Sequence, residues 1–147
     1  MHNSVLNLID IENKLKIASK EYEKKPKIVA VSKTFLLKDI FPLLEYGHKN
    51  FGENKIQEAV TKWSEVKNKY NDLKLHMLGK VQTNKVKYLI PLFDYIHSLD
   101  NIRLAEKISK EEIKKNKKIK IFIQVNLGDE DQKNGIALND LGNFYDE

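Results

Sequence analysis

Five short apolar runs, each followed by a helix-like stretch, constrain this chain's fold more than any other feature. They begin at residues 28, 50, 75, 95 and 119, which are 22, 25, 20 and 24 residues apart. An interval of that size holds one short strand, one helix and two turns, so the pattern predicts successive βαβ units and a parallel sheet. The runs IVAV (28–31) and IFIQV (121–125) are almost uninterrupted in apolar residues, which predicts strands buried on both faces. Helices are predicted at about 36–47, 54–70, 83–90 and 101–116. A further amphipathic helix is predicted over 4–24, where Val5, Leu8, Ile9, Ile11, Leu15, Ile17 and Ala18 recur at helical spacing and Pro26 lies beyond the end. No Gly/Ser-rich or Pro-rich linker divides the chain, so the expectation is one α/β domain over residues 1–147.

Composition narrows the function classes. Without cysteine there can be no disulfide framework, thiolate metal site or thiol nucleophile. The N-terminal segment lacks the apolar core of a signal peptide, and no run approaches the roughly 18 apolar residues of a membrane span, so a cytoplasmic protein is expected. The net charge is +5, yet Arg103 is the only arginine among 26 cations. Base and phosphate recognition favours the guanidinium fork, so nucleic acid is not the expected partner. The lysine run at 110–120 reads as the polar face and last turn of a helix, where cations complement the helix dipole. None of the four histidines has metal-site spacing. His76 and His97 fall within strands and are expected to be packed or hydrogen-bonded there. GDEDQ (128–132) lacks EF-hand spacing and reads as a solvated loop, and there is no P-loop, G-x-G-x-x-G or G-x-S-x-G.

Chemistry in parallel α/β folds gathers at the carboxyl ends of the strands. Lys33 follows the first run at such an end. A lysine with a pKa of about 10.4 is neutral in only about one molecule in 2,500 at pH 7, so a nucleophilic role requires desolvation or nearby positive charge. Position alone favours a lysine whose stem packs on the sheet while its ammonium reaches water. The other strand ends carry Gly52, Glu53 and Asn54, then Gly79 with Gln82 and Asn84, then IHSLD (96–100), then QVNLGDEDQKNG (124–135).

Taken in order, KIVAVSKT, FGENKIQEA, HMLGKVQTNK, IHSLD and IQVNLGDEDQKNGI resemble the pyridoxal phosphate homeostasis proteins, the YggS/PROSC family, across most of residues 5–136. The resemblance implies an alanine-racemase-like (fold type III) TIM-type β/α barrel with pyridoxal 5'-phosphate as cofactor. By match to the AVSK motif, Lys33 is implied to form the internal aldimine, and by match to GEN, Asn54 is implied to contact the cofactor. The implied role is to hold, buffer or deliver the cofactor without turnover, with no catalytic residue, and PLP-dependent apoenzymes are possible recipients. The alternative is a PLP-dependent amino-acid racemase or aldolase of the same fold. Racemisation needs a second acid/base group facing the lysine across the cofactor. In alanine racemases that group is similar to a tyrosine from a separate β-domain of the other subunit, which nothing in this chain resembles. Lys133 is the nearest candidate for a second cation, and it also reads as an exposed loop lysine.

The family's barrel has eight strands, whereas five β/α units bring this chain to Glu147. The expectation is therefore a C-terminally truncated, N-terminal portion of the barrel, with the phosphate-binding loops beyond Glu147. Two open parallel edges and an exposed apolar interior should result, which would make the fragment prone to aggregate.

Overall fold

The structure is a computed structural model that describes residues 1–20, 23, 26–128, 130–131 and 133–147. Five parallel strands, β1 (Ala30–Val31), β2 (Asn50–Glu53), β3 (Lys74–Met77), β4 (Tyr95–Leu99) and β5 (Lys120–Ile123), lie side by side in chain order. Each neighbouring pair is parallel, so every connection crosses over through a helix. The connecting helices are α2 (Leu37–Tyr46), α3 (Ile56–Lys69), α4 (Val86–Leu92, after a single 3-10 turn) and α5 (Ile102–Lys115), and α1 (Asn3–Ala18) packs against α2.

Local chemistry sets several of these boundaries. The Asn101 side chain accepts from the Leu104 N–H at 2.9 Å and opens α5, which Asn116 closes in the left-handed conformation behind Lys114 and Lys115. Gly47, at φ +100°, stops α2, and Asp39 accepts from the Leu36 N–H at its start. Helix α1 ends at Ala18, short of the predicted 24; residues 21, 22, 24 and 25 lie outside the described residues.

Alternation along the strands divides the sheet into two unlike faces. On the helix side, Phe51, Leu75, Met77 and Ile96 pack with Trp63, Ala59, Val66, Leu89, Ile90, Leu104 and Ile108, and this layer is the core. The opposite face carries Asn50, Gly52, His76, Tyr95, His97 and Phe122. It does not match the expectation of strands buried on both sides: Val31 is 47% and Phe122 53% exposed. The apolar runs at 28–31 and 121–125 record which residues face an apolar layer, but the far side of each strand lacks a covering neighbour among the described residues. Among the described residues β1 and β5 are open edges, as expected, but the uncovered face is less apolar than expected, with Asn50, His76, Tyr95 and His97 beside Val31 and Phe122.

The fifth run also divides. After Ile123 the chain forms β6 (Val125–Asn126), which pairs with β7 (Ile136–Ala137). A 3-10 turn and α6 (Leu141–Asp146) follow β7. Among the described residues no helix is long and apolar enough to cross a membrane.

Candidate functional site

The carboxyl edge of the sheet is tied together strand by strand. The Ser32 N–H donates to the Gly52 carbonyl at 2.9 Å, the Leu78 N–H to that of Glu53 at 2.9 Å, and the Gln124 N–H to that of Leu99 at 2.7 Å. Ser98 Oγ donates to the Gly79 carbonyl at 2.7 Å. A Cβ on Gly79 would sit 2.2 Å from the Asn54 carbonyl oxygen, so only glycine lets these two loops close on each other. Further along, the Gly135 N–H donates to Asp100 Oδ2 at 3.3 Å and Lys80 to Asn134 Oδ1 at 3.2 Å.

Lys33 and Asn54 each follow the carboxyl end of one of two directly paired strands, β1 and β2, whose register sets Val31 against Gly52. Lys33 is exposed and Asn54 half-buried. Lys133, in contrast, is 66% exposed on its loop and ion-pairs with Glu130 at 2.7 Å, as a loop lysine would. Asp129 and Gln132, from the loop read as solvated, lie outside the described residues.

Behind Lys33, on the helix side, lies a polar cluster that sequence reasoning missed. Glu53 is fully buried, and its Oε1 accepts from Ser32 Oγ at 2.8 Å, Trp63 Nε1 at 2.9 Å and Lys62 Nζ at 3.0 Å. Its Oε2 finds no partner among the described residues. Lys62 uses its remaining donors on the Ser32 carbonyl at 2.8 Å and Glu58 Oε1 at 3.2 Å. The same Glu58 oxygen accepts from the Thr34 N–H at 2.9 Å. That bond, followed by the one from Lys62, holds the Glu58 carboxyl below the usual carboxylate range. The available signal was the i,i+4 spacing of Glu58 and Lys62 on α3, the favourable order for such a pair, but spacing does not reveal what the pair reaches.

Deeper on the open face, His76 Nδ1 lies 3.0 Å from His97 Nε2, and His76 Nε2 lies 3.2 Å from Asn50 Oδ1. The ring of His76 stacks on Tyr95 with centroids 4.3 Å apart, and His97 leans on Phe122 at 4.7 Å. Both histidines are thus packed and hydrogen-bonded, as their strand positions suggest. Burial, and then the neighbouring His97, lowers the pKa of His76 from 6.5 to about 4. Burial also lowers that of His97.

A β/α sheet of this order is found in known proteins. The family model for the alanine racemase N-terminal domain matches residues 6–147. The chain belongs to that family. Within it, the pyridoxal phosphate homeostasis protein of Pasteurella multocida is 34% identical over 138 residues, covering 92% of this chain and 59% of the relative. The Escherichia coli K12 protein of the same name is 30% identical over 145 residues, covering 96% and 62%. PipY of Synechococcus elongatus, whose structure was solved with PLP bound, is 34% identical with a TM-score of 0.72, covering 86% of this chain and 58% of PipY. A Bifidobacterium adolescentis protein, at 23% identity and a TM-score of 0.83, shares the fold. The chain therefore spans about three fifths of the length of these relatives, and its sheet is the corresponding part of an alanine-racemase-type β/α barrel.

Proposed function

We propose that this chain is the lysine-bearing part of a pyridoxal 5'-phosphate-binding protein that holds the cofactor for cellular PLP homeostasis and does not turn over a substrate. The observation that supports this reading is that Lys33 and Asn54 follow the carboxyl ends of two strands paired in parallel, β1 and β2. The donor set fits the cofactor. Lys33 would be the residue that holds the cofactor through its aldehyde carbon, water being released, once its ammonium has given up a proton. The Asn54 amide offers both a donor and an acceptor to ring substituents. The bound cofactor would supply an electron-accepting ring. The relatives' names, and the PLP bound in PipY, support the same reading.

Holding without turnover is supported by how the nearby titratable side chains are engaged. His76 is bonded to His97 and to Asn50, and Lys133 to Glu130. The protein would act as a single cytoplasmic domain, with PLP-dependent apoenzymes as recipients of the cofactor.

The test is to mix the chain with pyridoxal phosphate and follow the absorbance of the lysine-bound form. A band that disappears in Lys33→Ala is expected, whereas a band of unchanged intensity in that variant would overturn the assignment.

A further inference from the structure

We propose that Glu58 and Lys62, on the outer helix α3, are positioning residues for Lys33, fixing the turn that presents its amine before any aldehyde arrives. The proposal rests on the reading of Lys33 as the cofactor-bearing amine. It starts from how little the sheet itself does for that residue. Strand β1 is two residues long and pairs with β2 alone among the described residues, and its ladder continues only through the Ser32 N–H to the Gly52 carbonyl. Past Ser32 the chain turns, and Thr34 takes φ +66°. A β-branched residue is not found in that left-handed conformation unless its surroundings impose it.

The surroundings here are two side chains from one helix. On one side of Lys33, the Ser32 carbonyl accepts from Lys62 Nζ at 2.8 Å and from the Phe35 N–H at 3.2 Å. On the other, the Thr34 N–H donates to Glu58 Oε1 at 2.9 Å. Lys62 and Glu58 are bonded to each other at 3.2 Å, so the two anchors are coupled. Lys62 is only 10% exposed and is also neutralised by the buried carboxylate of Glu53. Burying an ammonium here gains little as an ion pair, because desolvation offsets most of the attraction. What the arrangement secures is geometry: the peptide groups on both sides of Lys33 are held by charged partners from α3, so the turn that carries its exposed side chain is fixed. If the Glu58 acceptor is lost, Thr34 relaxes to negative φ and the backbone carrying Lys33 swings with it.

The chain has 25 lysines, so the selectivity of an aldehyde for Lys33 over the other 24 reads out this positioning directly. The chain would be treated with pyridoxal phosphate, reduced with borohydride, and mapped by peptide mass spectrometry, with urea unfolding measured in parallel. In the parent chain the label should concentrate on Lys33. In Glu58→Ala the share on Lys33 should fall by about tenfold, the size of effect that loss of one charge-assisted hydrogen bond can produce. Glu58→Gln, whose amide oxygen can still accept from Thr34, should restore most of it, and Lys62→Arg should retain more than Lys62→Met. Ile108→Val, a core change on α5 that lowers stability without touching the turn, should leave the label distribution unchanged. Equal labelling of Lys33 in Glu58→Ala and the parent, or the same fall in Ile108→Val, would overturn the positioning role. Label scattered evenly over the lysines of the parent chain itself would remove the cofactor reading, and the positioning role with it.

Discussion

Replacing His76 with glutamine should remove a large part of the acid sensitivity of this fold. His76 is 6% exposed, and its ring is committed on three sides. Tyr95 stacks on it, Asn50 Oδ1 accepts from Nε2–H, and Nδ1 accepts from His97 Nε2–H in the tautomers that satisfy both contacts. A second proton on Nδ1 would set N–H against N–H. Burial first, then His97, with a smaller contribution from Lys27 and an opposing one from Asp94, brings the pKa from 6.5 to about 4. Between those values the unfolded chain binds more protons than the folded one, so stability is fully present above pH 6.5 and is lost as the pH falls towards 4. At pH 5 the loss from this residue is about 2 kcal/mol, from RT ln[(1 + 10^1.5)/(1 + 10^−1)] with the two pKa values. That is a sizeable share of the roughly 5–15 kcal/mol of an ordinary domain. Urea unfolding followed by the fluorescence of Trp63, the only tryptophan and fully buried, measures it at pH 8 and pH 5. The parent should lose about 2 kcal/mol more than His76→Gln over that interval. His48, also lowered by burial, is present in both proteins and cancels in the difference. Asp94, where Lys67 and the Leu75 N–H outweigh burial, is held below the usual carboxylate range and titrates below the interval. Parallel losses in parent and variant would refute the reasoning.

Two further substitutions test the packing around the site. Gly79→Ala places a Cβ 2.2 Å from the Asn54 carbonyl oxygen, so the loops must part; a loss of about 1–3 kcal/mol in urea unfolding and weaker pyridoxal phosphate binding are expected, and unchanged values would show that the loops are not in contact. Trp63→Phe keeps most of the ring volume but removes the Nε1 donor from the buried Glu53 carboxylate; thermal unfolding followed by circular dichroism should show a loss of about 1–3 kcal/mol, and no loss would mean that water or another donor reaches Glu53.

What the sequence disclosed, and what it hid, follows from the range of the interactions involved. The strand-and-helix beat is local, and all five sheet strands and their connecting helices lie within a few residues of where periodicity puts them. That the segments carrying Lys33 and Asn54 end neighbouring strands was legible as two motifs one strand-and-helix beat apart, because a parallel sheet in chain order sets successive strands side by side. The anchoring of Thr34 and Ser32 was not. Its bonds span 24 and 30 residues, and nothing in a sequence distinguishes an i,i+4 pair on a solvated helix face from one that reaches a strand turn. The apolar run at 121–125 misled in a different way. Ile121 and Phe122 are apolar on opposite faces, but a residue's character records the layer it suits and not whether that layer is present, so both remain partly exposed. The β6–β7 pair was hidden because Gly135, at φ +113° and with a virtual Cβ 2.8 Å from the Asn126 nitrogen, permits a close return that no periodicity signals.

The segment NFGEN shows why the two faces of this sheet can carry separate duties without interference. Phe51 and Glu53 point to the helices, one filling the core against Trp63 and the other anchoring Ser32 and Lys62. Asn50 and Gly52 point to the open face, where Asn50 holds His76 and Gly52 admits Leu78, whose Cδ1 would lie 2.5 Å from a Cβ there. A slip of one residue in the β1–β2 register would exchange the two sets, putting Gly52 and Asn54 against Trp63 and exposing Phe51 and a carboxylate to the open face. The apolar contact of Phe51 with Trp63 therefore does more than stabilise the layer. By excluding that slip, it determines that Glu53 lies on the helix side, where it accepts from both Ser32 and Lys62.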